Sequence, residues 1–213
     1  DVAEACSGAG ALCPTDTQKP NGSSCEDGNL CTQGDTCQSG TCTAGVCDCG
    51  GNGPCNPKFR DEVLSKLTAS INLAADVGSK KVITFTGMKF EGMDRDKAIH
   101  DCLDVWKQVL PLAEKKGITL VLEHLNSRDS SHPMKGHPGY FGDDVDFCVD
   151  LIKNIGSPNF KLLFDIYHVS IMNGDIIRRL RLHKDYIGHI HTAGNPGRCE
   201  LDEHQEINYP AVM

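Results

Sequence analysis

The stretch FKLLFD, residues 160–165, is a short apolar run that ends in a carboxylate, and it predicts a buried β-strand. Three other runs have the same character: KVITFT (81–86), ITLVLE (118–123) and YIGHIH (186–191). Segments with apolar residues at helical spacing separate these runs. Because strands that alternate with helices are typical of βαβ units, we predict an α/β fold with a parallel sheet.

Four helices are predicted before and between these strands, over residues 60–77, 94–116, 143–155 and 174–182. Glycines follow the first three of them at Gly78, Gly117 and Gly156, where glycine is a common residue to end a helix.

The composition changes near residue 57. Residues 1–57 contain nine of the 12 cysteines and ten of the 22 glycines, but no aromatic residue. Such a segment buries too little apolar surface to offset its chain entropy, so we expect disulfides to hold it together. Residues 58–213 contain every aromatic side chain. We therefore predict two domains, a small disulfide-rich and loop-dominated module over 1–57 and a packed domain over 58–213.

Charge and hydropathy exclude two classes of partner. The formal net charge is −8 and no basic stripe is present, which argues against nucleic-acid binding. No apolar run approaches the roughly 18 residues of a membrane span. Disulfides would require an oxidising compartment, which indicates a periplasmic or secreted location if the module is genuine and a cytoplasmic one otherwise.

Polar side chains stand where three of the predicted strands end. They are Glu123, Asp165 and the pair His189 and His191. Sites in parallel barrels gather at the carboxyl ends of strands, and two carboxylates with an imidazole suit a divalent cation. Mn²⁺ or Mg²⁺ fits this set best, with Co²⁺ or Zn²⁺ as alternatives. The competing interpretation is that each residue only caps its strand. His189 is expected to lie deeper, where it packs or supports a ligand without binding the metal itself.

Several longer segments resemble a known family. They are LEHLNSR (122–128), HPGY (137–140), the stretch 156–175, YIGHIHTAGNPGR (186–198) and QEINYPA (205–211). Together they resemble the sugar isomerases and epimerases of the xylose-isomerase-like TIM-barrel superfamily, and hydroxypyruvate isomerases most of all. The resemblance implies a partial (β/α)8 barrel in which the four predicted strands are about strands four to seven.

The resemblance also implies roles for single residues. Glu123 would be a metal ligand and the catalytic acid/base, and Asp165 and His191 would be the other ligands present. His168 would form a hydrogen bond with a substrate oxygen. Arg198 would hold a substrate hydroxyl or carboxylate.

The implied reaction interconverts a hydroxy-aldehyde and a hydroxy-ketone through an enediolate. The substrate would be a small hydroxy-keto acid or a sugar, with hydroxypyruvate the leading candidate and 2-hydroxy-3-oxopropanoate its product. In the family a second catalytic glutamate lies on the last strand, which would follow Met213. We therefore expect this chain alone to be inactive or nearly so, and a homo-oligomer could cover the open edges of the barrel.

The cysteine-rich segment has a resemblance of its own. ACSGAGALCPTDTQKPNGSSC (5–25) and CEDGNLCTQGDTCQSGTC (25–42) resemble the disintegrin-like and cysteine-rich regions of ADAM-type metalloproteases. A secreted cysteine-rich adhesion or binding protein is therefore the alternative function. A third interpretation is a chimeric gene model whose product has no physiological activity.

Overall fold

The structure, a computed structural model, describes residues 53–131 and 135–213, together with the backbone of four short strands between residues 32 and 47. The chain divides into two units, Asp1–Gly51 and Asn52–Met213. Cys55 lies within this description and is a free thiol, so it takes no part in the disulfide framework predicted for residues 1–57. The side chains of the other cysteines of that framework, and the disintegrin-like character of the segment, fall outside this description.

The first unit contains two short antiparallel strand pairs. Strand β1 (Thr32–Gln33) pairs with β4 (Val46–Cys47), and β2 (Thr36–Gln38) pairs with β3 (Thr41–Thr43).

The second unit alternates helices and strands as the sequence predicts. Its strands are β5 (Lys81–Thr84), β6 (Thr119–Glu123), β7 (Phe160–Asp165) and β8 (Ile187–His191). A 3-10 turn (Pro57–Phe59) leads into the helices, which are α1 (Arg60–Asp76), α2 (Arg95–Lys116), α3 (Val145–Ile155), α4 (Ile166–Met172), α5 (Ile176–His183) and α6 (Tyr209–Val212). Within the described residues the strands form one parallel sheet in the order β5-β6-β7-β8. The α/β prediction is confirmed.

Capping residues mark the start and the end of α2 and α3, the helices in the two longest connections between strands. The Asp94 side chain accepts a hydrogen bond from the Lys97 amide at the start of α2. Gly117 ends that helix with a φ of 64°, in the left-handed region that glycine adopts without steric cost. Asp144 and Gly156 do the same for α3, the latter with a φ of 70°. These caps set the lengths of α2 and α3 and so help to place the starts of β6 and β7, which follow them.

Helix α4 is the element between two strands of the parallel sheet that the sequence analysis does not predict. It begins directly after β7 with no intervening turn residue, and it has only seven residues. The Asp165 side chain accepts a hydrogen bond from the His168 amide and thereby caps the helix. Asp165 therefore both ends β7 and serves as the N-cap of α4.

The core lies between the sheet and the helices. Alternate residues of β6 and β7 are fully buried in it, namely Leu120, Leu122, Phe160, Leu162 and Phe164. The residues between them, Glu123 and Asp165 included, point to the opposite face because side chains alternate along a strand. Trp106 of α2 is the largest buried side chain on the helical side. None of the helices in residues 53–131 and 135–213 combines the length and apolar character needed to cross a membrane.

Cys55 belongs to this core, although the composition grouped it with the cysteines of the N-terminal segment. The side chain is fully buried, and the Cys55 amide donates to the Thr86 carbonyl oxygen at 3.0 Å. Burial raises the pKa of its thiol to about 12. Eight cysteines of the sequence therefore precede the second unit.

The Trp106 indole N–H donates to the buried Thr84 hydroxyl at 3.0 Å, and its ring lies 4.9 Å from that of Phe160. Replacing Trp106 by Phe keeps an aromatic ring but leaves the Thr84 hydroxyl without its donor. We expect a loss of about 1–3 kcal/mol in the free energy of unfolding, measured by urea denaturation. The double variant Trp106→Phe/Thr84→Val should recover part of this loss. Equal stability of parent and Trp106→Phe would show that the hydrogen bond contributes nothing.

Thiol labelling tests where Cys55 lies. Cys55, Cys102 and Cys148 are buried and their pKa values are raised, whereas Cys199 is exposed. We expect an alkylating reagent at pH 8 to modify Cys199 in the folded protein and to reach the other three only after unfolding, as measured by peptide mapping. Labelling of Cys55 as fast as that of Cys199 would place it outside the core.

Candidate functional site

Two carboxylates end adjacent strands of the sheet and are almost completely buried. Glu123 at the end of β6 is 5% exposed, and Asp165 at the end of β7 is 1% exposed. His191, at the end of β8, places its Nδ1 atom 3.0 Å from Glu123 Oε1 and 3.7 Å from Asp165 Oδ2. The parallel register pairs Asp165 with His191 directly. The three residues that the sequence suggests as metal ligands therefore lie together.

His168 joins this cluster from helix α4. Its ring is fully buried, and its Nε2 atom lies 3.9 Å from Asp165 Oδ2. Glu123, Asp165 and His168 can each offer one ligand atom, and these atoms lie within 4.8 Å of one another. Geometry alone therefore allows His168 as a metal ligand, a role that the sequence analysis gave to His191 instead.

Asp165 uses its two oxygens for different purposes. Oδ1 accepts the His168 amide at the start of α4, and Oδ2 faces the two imidazoles. Asp165 thus caps helix α4 rather than its strand, and its other oxygen is directed at the histidines of the cluster. The cap also fixes its rotamer, so that Oδ2 is directed at the cluster.

The protonation states follow from burial and charge. Burial raises the pKa of Glu123 above its usual range, although the hydrogen bond with His191 opposes this shift. Burial would also raise the pKa of Asp165, but contact with His191 and the nearby His168 holds it well below its usual range. The carboxylates of Asp165 and Glu123 raise the pKa of His191 to about 9. Burial lowers the pKa of His168 to about 3, so its ring is neutral.

The cluster fits a divalent cation. The protonated His191 ring lies between two buried carboxylates whose charges need compensation in this environment. A cation bound to both carboxylates would supply that compensation and leave His191 neutral, so that its Nδ1 could become a third ligand. Two oxygens and one imidazole nitrogen are a donor set that Mn²⁺ and Mg²⁺ accept, as do Co²⁺ and Zn²⁺.

Arg198 lies at the same end of the sheet, in the loop after β8. Its guanidinium carbon is 5.9 Å from the centre of the Tyr167 ring, which is itself 5.2 Å from the His168 ring. Arg198 has a φ of 52°, in the left-handed region that costs a non-glycine residue energy, and such strain is common at binding sites. The cationic side chain that the sequence suggests for substrate is therefore beside the cluster.

The sequence analysis expects His189 to lie deeper than His191, and this expectation is wrong. Its side chain is exposed, and its ring lies 5.1 Å from that of His191 in an edge-to-face arrangement. The reason is that β8 is an edge strand of the described sheet, so the face around His189 is open to solvent.

Tyr140 is a site residue that the sequence analysis did not single out, although it ends the HPGY motif. Its fully buried hydroxyl donates to the Glu123 carbonyl oxygen and accepts from the Thr86 amide, both at 2.9 Å. One side chain thus holds the end of β6 next to the segment that follows β5. The one sequence feature that could have indicated this role of Tyr140 is the position of the HPGY motif inside the long loop between β6 and α3.

The raised pKa of His191 predicts a pH dependence in the metal-free protein. An unfolded histidine has a pKa of about 6.5, so the contribution of His191 to stability is complete below that pH and is lost as the pH rises through about 9. NMR titration should show this pKa. Denaturation between pH 7 and pH 9.5 should show less loss of stability in His191→Gln than in the parent, and exposed His100→Gln is the control. Titration of His191 near pH 6.5 would contradict the charged bridge.

Comparisons with known proteins agree with this geometry. The model of the xylose isomerase-like TIM barrel family matches residues 39–213. The 2-oxo-tetronate isomerase of Cupriavidus necator is 31% identical over 144 residues, which are 68% of this chain and 52% of that protein. The hydroxypyruvate isomerase of Escherichia coli is 28% identical over 155 residues, or 73% of this chain and 57% of that protein.

A solved structure of an AP endonuclease, family 2, from Brucella melitensis superposes with a TM-score of 0.67 at 26% identity, and it covers 75% of this chain and 58% of that one. The chain thus spans little more than half the length of these proteins. The family match extends over both the four-stranded sheet and the carboxylate–histidine cluster at its carboxyl end, and the chain belongs to the xylose isomerase-like TIM barrel family.

Proposed function

We propose that the chain carries part of the active site of a metal-dependent isomerase that acts on a small hydroxy-keto acid, with hydroxypyruvate as the leading candidate. The observation that carries this proposal is the convergence of two buried carboxylates and one imidazole at the ends of three adjacent strands, joined by a second imidazole from the first turn of α4. Relatives named hydroxypyruvate isomerase and 2-oxo-tetronate isomerase align over this region, which favours an isomerase of keto acids.

Glu123, Asp165 and His191 would hold the metal ion. When bound, a divalent ion supplies positive charge that stabilises negative charge on substrate oxygens. His191 must lose its proton to take part, so binding at neutral pH would release a proton. Mn²⁺ or Mg²⁺ is the leading candidate because two of the three donors are carboxylates, and the imidazole keeps Co²⁺ and Zn²⁺ as alternatives.

Glu123 would transfer the proton. Its side chain lies in a buried environment that raises its pKa toward the working range of an acid/base group. In hydroxypyruvate it would take a proton from the hydroxyl-bearing carbon and return it to the neighbouring carbonyl carbon, and the hydroxyl proton would move to the former carbonyl oxygen. The product is 2-hydroxy-3-oxopropanoate, an isomer of the substrate, so no oxidant or reductant is consumed.

Two more side chains would hold the substrate. His168 Nε2 has no hydrogen-bond partner among the described residues, and it faces the cluster, where it could donate to a substrate oxygen. Arg198 carries the positive charge that the substrate carboxylate requires, and its position beside Tyr167 sets the distance between that carboxylate and the cluster.

Metal binding tests this proposal before any turnover is measured. We expect Glu123→Gln to weaken Mn²⁺ binding at least about tenfold in calorimetry, because the change removes a charged ligand. Asp150→Asn, which neutralises an exposed carboxylate on α3, is the matched control and should bind as the parent does. A Glu123→Gln variant that binds Mn²⁺ as tightly as the parent would remove the proposed site.

Turnover tests the role of Glu123 as the proton carrier. In any preparation that isomerises hydroxypyruvate, Glu123→Gln should lower kcat by about 10²–10⁴-fold, the usual contribution of a general base. Saturating Mn²⁺ separates this effect from weaker metal binding. A kcat unchanged at saturating metal would assign the proton transfer to another group.

A further inference from the structure

Asn126 is fully buried three residues after Glu123, in the loop that leaves β6. Its backbone amide lies 3.1 Å from His168 Nδ1, and its side-chain nitrogen Nδ2 lies 2.8 Å from the same atom. Two nitrogen groups of one residue therefore converge on one ring atom of His168.

The orientation of the Asn126 amide follows from its other partners. Nδ2 donates to the Lys135 carbonyl oxygen at 2.7 Å, and Oδ1 accepts from the Asp129 amide at 3.0 Å. A carbonyl can only accept and an amide N–H can only donate, so exchanging the two ends of the side chain would break both bonds. The atom facing His168 is therefore a nitrogen with a hydrogen to donate.

This arrangement decides which nitrogen of His168 carries the proton. A neutral imidazole has one N–H donor and one acceptor nitrogen. Because two donors point at Nδ1, that atom must be the acceptor, and the proton lies on Nε2. Nε2 is the atom that faces the site, 3.9 Å from Asp165 Oδ2, and within the described part of the chain it has no hydrogen-bond partner.

The tautomer resolves an ambiguity that distances leave open. His168 lies close enough to Glu123 and Asp165 to serve as a third ligand. A metal ion needs the lone pair of a ring nitrogen, and an Nε2 atom that carries a proton has none to offer. The same Nε2–H group is well suited to donate to an oxygen of the substrate.

We propose that Asn126 is a positioning residue that fixes His168 as the Nε2–H tautomer, so that His168 is a hydrogen-bond donor to substrate and is excluded from metal coordination. The statement about the tautomer stands on hydrogen bonds alone. The statement about substrate rests on the function proposed above.

Long-range ¹H–¹⁵N correlation spectra of the metal-free, ¹⁵N-labelled protein report the tautomer of His168 directly. We expect an unprotonated Nδ1 and a protonated Nε2 in the parent. Asn126→Asp leaves the backbone amide donor in place but replaces the side-chain donor by a carboxylate of nearly the same shape. Because a hydrogen bond to a charged acceptor is roughly twice as strong as one between neutral groups, the His168 signals should change to a form that is protonated on Nδ1. Asn154→Asp, which adds the same charge on the exposed side of α3, should leave the parent pattern unchanged.

Two results would overturn the proposal. One is a parent protein in which His168 carries its proton on Nδ1, and this result requires no variant to fold. The other is a folded Asn126→Asp variant that keeps the parent pattern.

Kinetic measurements distinguish the positioning role of Asn126 from the isomerase function proposed above. Where the parent isomerises hydroxypyruvate, Asn126→Asp should lower kcat about 10- to 100-fold at saturating Mn²⁺. A parent that shows the expected tautomer but no isomerisation would count against the function and leave the positioning role intact. A parent kcat retained in an Asn126→Asp variant with the altered tautomer would refute the link between His168 and substrate.

Discussion

The structure of the site depends on one constraint, the burial of two carboxylates at the ends of neighbouring parallel strands. Glu123 and Asp165 lose their hydration in this position, and like charges at short distance repel. The fold compensates them with the imidazole of His191, whose pKa rises as a result. The same residues could hold a metal ion, because an ion bound to both carboxylates would replace the positive charge of the imidazolium ring.

The surrounding residues keep these groups in place by using backbone atoms. The start of α4 takes one oxygen of Asp165, and the hydroxyl of Tyr140 holds the carbonyl of Glu123. Asn126 connects the loop after β6 to the ring of His168. These contacts use Asp165 Oδ1, the Glu123 carbonyl oxygen and His168 Nδ1. The other oxygen of Asp165, the Glu123 carboxylate and His168 Nε2 therefore remain directed into the site. The cluster is therefore positioned by secondary-structure ends and one loop, as is usual where parallel strands terminate.

Much of the second unit follows from sequence patterns because those patterns are local. Apolar runs and capping residues define β5 to β8 and the helices α1, α2, α3 and α5 to within a few residues. The sequence patterns do not predict helix α4 because no turn signal separates it from β7: Asp165 both ends the strand, as predicted, and caps the helix. Cys55 was assigned by composition, which averages over a segment and cannot detect that one residue of it packs beside Thr86.

Residue types and their spacing at strand ends predict the fold class, the family resemblance and most of the candidate site, although they do not single out Asn126 or Tyr140. The charge and the tautomer of the site residues depend on the tertiary structure. Proximity across β6, β7 and β8 gives His191 its charge, and burial keeps His168 neutral. The contact between Asn126 and His168, 42 residues apart in the chain, fixes the tautomer. Protonation and tautomer depend on distances and burial between segments remote in sequence, and no local pattern encodes them.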